Sequence, residues 1–215
     1  MFITFGTNFY GKVATVKGHW IETKFFTVMF VPIFPLNSMY VTGSEFRKRS
    51  GFTIALNNKS IIAVYSRLLS FIIAGWFLFW AYESATSYYG EAAGAVKSLI
   101  LGLLFAAAWV YFAFYYGKAT EADIAMRTKV GSVTGLYALP HWFDYPELRN
   151  MLGGFQLQYK TKYPDGDWKA DLNNDNPAPE KYKLLYALAL FNCMAYNLPE
   201  NDELYAKADA LYVVD

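Results

Sequence analysis

The chain has 215 residues, of which 55% are hydrophobic, 20% are aromatic and 17% are charged, and its formal net charge is +1. This composition is more apolar and more aromatic than that of an average soluble domain. It is typical of a membrane protein or of a chain that buries most of its surface against partners. The single cysteine, Cys193, excludes intramolecular disulfides and cysteine-based zinc or iron–sulfur sites. No basic face interleaved with aromatic residues points to nucleic acid as a partner.

Residues 1–60 are predicted to form a small antiparallel β module in the cytoplasm. Short stretches rich in Val, Ile, Thr, Phe and Tyr are separated by Gly or Asn, which is typical of strands joined by turns. These stretches are MFITF, KVATV, HWIETKFFTVMF, MYVTG and GFTIAL. Pro32 and Pro35 cannot donate to a β ladder. The segment VPIFP is therefore predicted to be an edge strand or an extended connector rather than part of a membrane helix.

The β module contains four phenylalanines that are close in sequence: Phe25, Phe26, Phe30 and Phe34. Together they exceed what about 60 residues can bury in a core of their own. We predict that the surplus packs against the helices, the lipid headgroups or another subunit. A purely internal core is the alternative.

The stretch from Gly6 to Ser60 resembles a widespread group of uncharacterised bacterial membrane proteins. Members of this group begin with a β module that carries a T-[KR]-[FW]-F…P-[IL]-x-P-x-x-S-x-x-V signature, followed by transmembrane helices. The matching positions here are Thr23, Lys24, Phe25, Phe26, Pro32, Pro35, Ser38 and Val41. The signature is also similar to the strand core of small zinc-ribbon proteins, but the paired cysteines are absent, so no zinc role is implied. The resemblance implies an architecture and no activity.

Two long apolar segments follow the β module. Residues 61–82 are interrupted only by Arg67, and residues 99–117 carry no charge. Because about 20 apolar residues are needed to cross a hydrocarbon core of roughly 30 Å, we predict a transmembrane hairpin over 61–117, with spans at about 61–82 and 97–117. The alternative is a pair of buried helices in a soluble core, for which the chain has too little covering material.

Aromatic residues and one arginine indicate where this hairpin meets the membrane surface. Trp and Tyr favour the interface, where the ring is dry and its polar tip is wet. Arg67 lies in the first two turns of its segment and is predicted to snorkel to the headgroups; an arginine that functions inside the membrane is the alternative. The residues predicted to contact the interface or a partner are Phe25, Phe26, Phe30, Phe34, Arg67, Trp76, Trp80, Trp109, Tyr115 and Tyr116.

The charges that flank the hairpin predict its orientation. Basic residues cluster at 47–59 and 118–129, whereas the connection at 83–97 carries two acids and one lysine. The positive-inside rule therefore predicts a multi-pass protein of the bacterial inner membrane with both termini in the cytoplasm.

Residues 118–215 are predicted to form a cytoplasmic helical region. The stretch after Lys118 is predicted to extend the second span as a helix that ends near Gly131 or Gly135. Apolar residues at helical spacing over 177–213 predict a helical hairpin of roughly tetratricopeptide size, which begins at Asn176 and Pro177. A single hairpin does not establish a repeat, and its use as a docking surface is a hypothesis.

The sequence contains no recognisable catalytic motif. It has no nucleophile elbow, zinc-protease, phosphate-loop or dinucleotide signature. His19 and His141 lie on different modules, and each is interpreted as structural. We therefore predict that the protein is not an enzyme and that it binds no cofactor or metal.

One acidic stretch has part of the pattern of a calcium loop. Asp171, Asn173 and Asp175 have the 1-3-5 spacing of such a loop. Position 6 is Asn176 instead of glycine, however, and position 12 is Tyr182 instead of glutamate. The stretch is interpreted as a solvated connector.

These observations together predict a membrane α+β protein with a small amino-terminal antiparallel β module, a two-helix transmembrane hairpin and a carboxyl-terminal helical region. The leading functional hypothesis is a non-catalytic accessory or scaffolding subunit of a larger membrane protein complex. Its partners would be the other subunits and the lipid bilayer. The alternative is a homo-oligomeric channel or transporter component, in which Arg67 would face a wet interior. An enzyme is a third class, and it would need residues that the sequence does not offer.

Overall fold

The computed structural model of the protein describes residues 4–45, 48–87, 92–174 and 177–213. Within these residues the fold is α+β, with a four-stranded antiparallel sheet at the amino-terminal end and seven α-helices after it. This confirms the predicted α+β class and the amino-terminal antiparallel module. The chain divides into two compact units, Met1–Ala119 and Thr120–Asp215.

The strands of the sheet are antiparallel and follow one another in chain order. The predicted stretch KVATV and Phe5 of the stretch MFITF belong to a single strand, β1, whose pairing with β2 shifts register between Tyr10 and Val13. Residues 1–3 of the first predicted strand and Arg47 of the basic flank lie outside the described residues. The strands are β1 (Phe5–Val16), β2 (His19–Val28), β3 (Val31–Glu45) and β4 (Lys48–Ile54).

The proline segment forms the first part of β3 and is an edge of the sheet. Phe25 and Thr27 of β2 pair with Pro35 and Pro32. On its other side, β3 pairs with β4 only from Ser38 onward among the described residues. Since proline has no N–H to donate, it fits a segment that needs ladder hydrogen bonds on one side alone.

The first two helices form an antiparallel pair that continues directly from the sheet. Phe77 stacks on Phe105 at a ring distance of 6.1 Å, and Phe71 contacts Trp109 at the same distance, so the two helices run in opposite directions. Residues 88–91 of the predicted outer loop lie outside the described residues. The helices are α1 (Asn58–Thr86) and α2 (Ala92–Phe114).

A glycine lets these two helices approach closely. A Cβ atom on Gly102 would lie 2.8 Å from the side chain of Leu78, closer than real contacts allow. Gly102 is the one buried residue of α2, all of which the structure describes. The pair therefore makes a narrow contact and leaves most of its apolar surface open.

Both α1 and α2 are long and apolar enough to cross a membrane. Only 22% of the most apolar window of α1 and 11% of that of α2 is buried. Long apolar helices in the core of a soluble protein are, by contrast, mostly buried. Most of the apolar surface of α1 and α2 is therefore open within the described part of the chain.

The second unit is a helical bundle built around one buried helix, α6. Every residue from Leu185 to Asn192 is buried, and α6 packs against α3, α4 and α7. The predicted pattern placed one face of this helix in the core, whereas the structure buries all its sides. The helices are α3 (Glu121–Thr134), α4 (Tyr145–Lys162), α5 (Trp168–Asn173), α6 (Tyr182–Ala195) and α7 (Pro199–Leu211).

The prediction that α3 extends the second span is wrong. The second helix ends at Phe114, and α3 begins after Thr120, whose hydroxyl accepts from Asp123 N while the Asp123 carboxylate accepts from Thr120 N. This capping box satisfies the first free N–H groups of a new helix. The end of α3 agrees with the sequence, because Gly135 terminates it in the left-handed conformation.

Candidate functional site

A chain of buried hydroxyls joins the sheet to the start of α1. Asn57 N donates to Ser38 Oγ at 2.9 Å, and Ser38 Oγ lies 2.7 Å from Thr23 Oγ1. Thr23 then bonds Ser60 Oγ at 2.9 Å, and Ser60 donates to the carbonyl of Gly11 at 2.7 Å. This hydroxyl relay connects β1, β2 and β3 with the first turn of the helix.

The direction of every bond in the hydroxyl relay follows from counting protons. Each hydroxyl has one proton to donate. Ser60 uses its proton on Gly11, so Thr23 must donate to Ser60 and Ser38 must donate to Thr23. Asn57 also caps α1, since its side-chain oxygen accepts from Ser60 N at 3.0 Å. All the relay hydroxyls are therefore satisfied, as burial demands.

Glycine is required where β1 meets the helix. Gly11 has a φ of +74°, and a Cβ atom there would lie 2.6 Å from Ser60 O and 2.7 Å from Val64. A side chain at this position would separate the strand from α1. Two positions of the sequence signature, Thr23 and Ser38, thus attach the sheet to the helix through Ser60.

Arg67 binds the carboxyl-terminal end of α2. Its Nε donates to the carbonyl of Phe112 at 2.7 Å, and its Nη2 donates to that of Ala113 at 3.3 Å. The last carbonyls of a helix lack partners within the helix and carry partial negative charge, so a cation stabilises them. The sequence alone predicted a snorkelling arginine and did not reveal this cap, because the two ends meet only in the fold.

Two further contacts hold the segment that follows α2, one from the first turn of α1 and one from the sheet. Lys59 Nζ donates to the carbonyl of Lys118 at 2.7 Å, and Ala14 N donates to that of Gly117 at 2.6 Å. A Cβ atom on Gly117 would lie 3.4 Å from Arg67 Nη2, so these groups share one region. The side chains of Lys59 and Arg67 thus contact the segment that leaves α2, and this segment itself carries Lys118.

An apolar groove lies between the β2–β3 turn and the helix pair. Its volume is about 470 Å³. Met29 and Phe30 at the turn both have positive φ, which is costly for residues with side chains, and the Tyr10 hydroxyl bonds the carbonyl of Phe30 at 2.7 Å. The groove is lined by Tyr10, Gly11, Met29, Phe30, Val31, Pro32, Val64, Arg67, Leu68, Phe71 and Trp109.

The four phenylalanines of the module have different environments. Phe25 is fully buried and packs edge-to-face on Tyr65 of α1 at 5.7 Å. Phe26 stacks on Phe34 at 5.0 Å, and Phe34 is 48% exposed. Phe30, at the turn, is 73% exposed. One ring therefore joins sheet to helix, whereas the others give the sheet an open apolar surface.

The aromatic residues predicted for the membrane interface lie towards both ends of the helix pair. Trp76 and Trp80 stack at 6.2 Å in the second half of α1. Tyr115 and Tyr116 follow the end of α2, at the sheet end. Trp109 lies inside α2 and lines the groove. This distribution is typical of the two aromatic belts of a membrane helix pair.

The stretch interpreted as a solvated connector carries a half-buried polar cluster in the second unit. The Asp171 carboxylate accepts from Lys181 Nζ at 2.6 Å and from the Tyr159 hydroxyl. The hydrogen bond from Lys181 lowers the pKa of Asp171, whereas burial and the bond to Asp171 raise the pKa of Tyr159. Asn173 accepts from Lys207 Nζ at 2.8 Å. Asp175 and Asn176 of the same stretch lie outside the described residues.

The two histidines are far apart in the sequence and have aromatic neighbours. His19 Nδ1 lies 2.8 Å from the Tyr40 hydroxyl, and His141 packs beside Trp142 with a ring distance of 5.9 Å. Among the residues that the structure describes, no three His, Cys, Asp or Glu side chains come together to hold a metal ion. The apolar groove at the sheet end of the helix pair, with Arg67 in its lining, is the candidate site.

No protein-family model, curated protein or solved structure matches this chain.

Proposed function

We propose that this protein is a non-catalytic accessory or scaffolding subunit of a larger membrane protein complex, anchored in the bacterial inner membrane by α1 and α2. The observation that carries the proposal is the exposed apolar surface of the helix pair. Phe71, Trp76 and Leu104 are 63%, 64% and 61% exposed, and they are spread over both helices. A chain in water does not keep such a surface open, because each Å² of apolar area costs about 25 cal/mol.

The charges support an orientation with the sheet on the cytoplasmic side. Lys59, Arg67 and Lys118 surround the sheet end of the helix pair. The positive-inside rule places such a cluster in the cytoplasm. Both termini then lie on that side, and the short connection between α1 and α2 lies outside.

The open surface of the sheet supports an accessory role. Phe34 and its neighbours Ile33 and Leu36 are all between 44% and 48% exposed on the edge segment of β3. Exposed apolar patches of this kind mark interaction sites. The two prolines of the segment hinder its pairing with edge strands of other molecules. We assign this surface, formed by Ile33, Phe34 and Leu36, to contact with another subunit.

The experiment is extraction of native membranes with mild detergent, followed by native mass spectrometry of the complexes that contain this chain. Foreign subunits in fixed stoichiometry are the expected result. A closed ring of copies of this chain would favour the alternative, a homo-oligomeric channel or transporter component. A monomer, or a chain recovered without detergent, would overturn the proposal.

A pair of variants tests the contact surface itself. Phe34→Glu places a charge on the assigned surface and is expected to release the partner subunits. Thr53→Glu is the matched control, since Thr53 is exposed on β4. If both variants retain the partners, the contact lies elsewhere.

A further inference from the structure

We infer that the groove between the β2–β3 turn and the helix pair binds a negatively charged diacyl phospholipid, with its phosphate on Arg67. One acyl chain would lie along Leu68, Phe71 and Trp109. The inference rests on the membrane placement proposed above, but not on the presence of partner subunits. Three observations carry it: the free donors of Arg67, the surrounding charge, and the position of the groove along the helices.

Arg67 has N–H donors that no described residue accepts. A guanidinium has five N–H groups, and the carbonyls of Phe112 and Ala113 take one each from Nε and Nη2. Three N–H groups remain, including both on Nη1. No ion pair in the described part of the chain involves Arg67. Because an arginine stays charged, this half-buried group needs an anion, and a phosphate accepts from it in the favoured forked geometry.

The neighbouring charges favour a ligand with net negative charge. Lys59 and Lys118 lie at the same end of the helix pair, and neither forms an ion pair with a described residue. A zwitterionic headgroup would bring its own positive group close to Arg67, Lys59 and Lys118, which would repel it. An anionic headgroup leaves its charge available to all of them.

The position of the groove favours a lipid over a free phosphate ion. Phe71 lies one turn further into α1 than Arg67, and Trp109 lies one turn before Phe112 in α2. Both rings are therefore deeper in the apolar spans than the guanidinium. The groove thus offers a charged group at its shallow end and an apolar wall below it. Its volume of about 470 Å³ is within the usual range for sites that bind small molecules.

The test is native mass spectrometry of the full chain in detergent micelles, titrated separately with phosphatidylglycerol, phosphatidylcholine and inorganic phosphate. We expect one phosphatidylglycerol per chain, held about tenfold or more tightly than phosphatidylcholine, and no competition from inorganic phosphate. Equal binding of the two lipids, or displacement by inorganic phosphate, would overturn the inference.

Matched charge deletions locate the lipid. Arg67→Gln is expected to weaken phosphatidylglycerol binding about tenfold or more. Lys97→Gln, an exposed charge near the start of α2, is expected to leave binding unchanged. Equal losses in the two variants would show that the lipid responds to net charge and not to this groove.

A groove-filling variant covers the case in which loss of the Arg67 cap disturbs the helix pair. Val31→Trp keeps Arg67 and adds bulk at a wall residue that is already 42% exposed, so the fold is preserved. It is expected to abolish the one-to-one lipid adduct. Retention of that adduct would place the lipid outside the groove. Micelles contain no partner subunit, so this result stands whether or not the scaffold proposal fails.

Discussion

Two apolar helices of this protein have opposite environments. In α6, nine of the 14 residues are buried, and they lie on all sides of the helix. In α2, which is 23 residues long, the one buried residue is Gly102. Both segments are rich in Leu, Ala and Phe, so composition does not decide which becomes a core helix.

The length of each helix and the elements packed around it decide whether it is buried. A 14-residue helix is too short to cross a bilayer, and the second unit surrounds α6 with α3, α4 and α7. The helix pair of the first unit is long enough, and the sheet covers only one end of it. The second unit is therefore stabilised by its apolar core. The first unit combines a smaller apolar core in its sheet, which includes Ile21, Phe25 and Val41, with polar contacts at the junction of sheet and helices.

The largest expected effect comes from one substitution made in both helices. Leu188→Ala, at a fully buried position of α6, is expected to destabilise the second unit by about 2–5 kcal/mol, because it removes buried methyl groups and leaves a cavity. Leu104→Ala, at a position of α2 that is 61% exposed, is expected to cost less than about 0.5 kcal/mol in helix packing. Hydrogen exchange of α6 and α2 amides in detergent micelles measures both.

The comparison would fail if the two substitutions had similar effects. A large loss for Leu104→Ala in micelles would mean that α2 is packed against protein there. A small loss for Leu188→Ala would mean that α6 is not the centre of the core.

The junction in the first unit is tested by a pair of threonines. Thr23→Val is expected to cost about 1–2 kcal/mol, because it leaves Ser38 without an acceptor and Ser60 without a donor. Thr27→Val is the control: Thr27 is equally buried, but its hydroxyl bonds no described residue. Exchange of the first amides of α1 should accelerate in the first variant alone. Similar acceleration in both would mean that burial, and not the hydroxyl relay, fixes the sheet to the helix.

Local sequence patterns predicted the elements of the first unit well. Residues 61–82 and 99–117 are continuous apolar runs, and each falls largely within a helix. The β-prone stretches of residues 1–60 form the sheet, but Gly18 alone of the glycines and asparagines predicted to mark turns lies at a described turn, whereas Gly11 and Asn37 lie inside strands. The turn between β2 and β3 was not predicted. Met29 and Phe30 adopt positive φ there, and neither is a glycine or asparagine, so the local sequence does not indicate a turn.

The contacts of the candidate site could not be predicted in the same way. The Arg67 cap joins positions 45 residues apart, and the Thr23–Ser60 bond joins positions 37 residues apart. Neither contact joins residues whose spacing is that of neighbours on one helix or one strand. The signature supplied Thr23 and Ser38 as positions of interest, but their hydrogen bonds depend on the register of β2 and β3.

A smaller, pH-dependent effect is expected in the second unit. Lys181 holds the pKa of Asp171 below its usual value, so the unfolded chain binds a proton more readily than the folded one. The contribution of Asp171 to the free energy of unfolding is complete above its pKa in the unfolded chain, about 3.9. It is lost as the pH falls through the lowered pKa of Asp171 in the folded chain. Acid titration of near-ultraviolet circular dichroism measures it.

Two variants test whether Asp171 and Lys181 cause this acid dependence. Asp171→Asn should flatten the dependence below about pH 4, at a cost of about 1 kcal/mol at neutral pH. Lys181→Met removes the cation and should move the acid transition to higher pH. An unchanged transition in both would show that other carboxylates control acid unfolding of the second unit.

The smallest effect concerns the edge of the α6 core. Burial, together with the smaller effect of the hydrogen bond to Asp202 Oδ1 at 3.1 Å, raises the pKa of the Cys193 thiol to about 11. Since the thiolate is the reactive form, iodoacetamide should modify Cys193 at pH 8 far more slowly than it modifies the denatured chain. Asp202→Asn removes the carboxylate and should raise the rate only a few-fold, because burial is the larger cause. If iodoacetamide modified Cys193 in the folded protein as fast as in the denatured chain, α6 would be open at this end. The contrast between α6 and α2 would then hold only for the middle turns of α6.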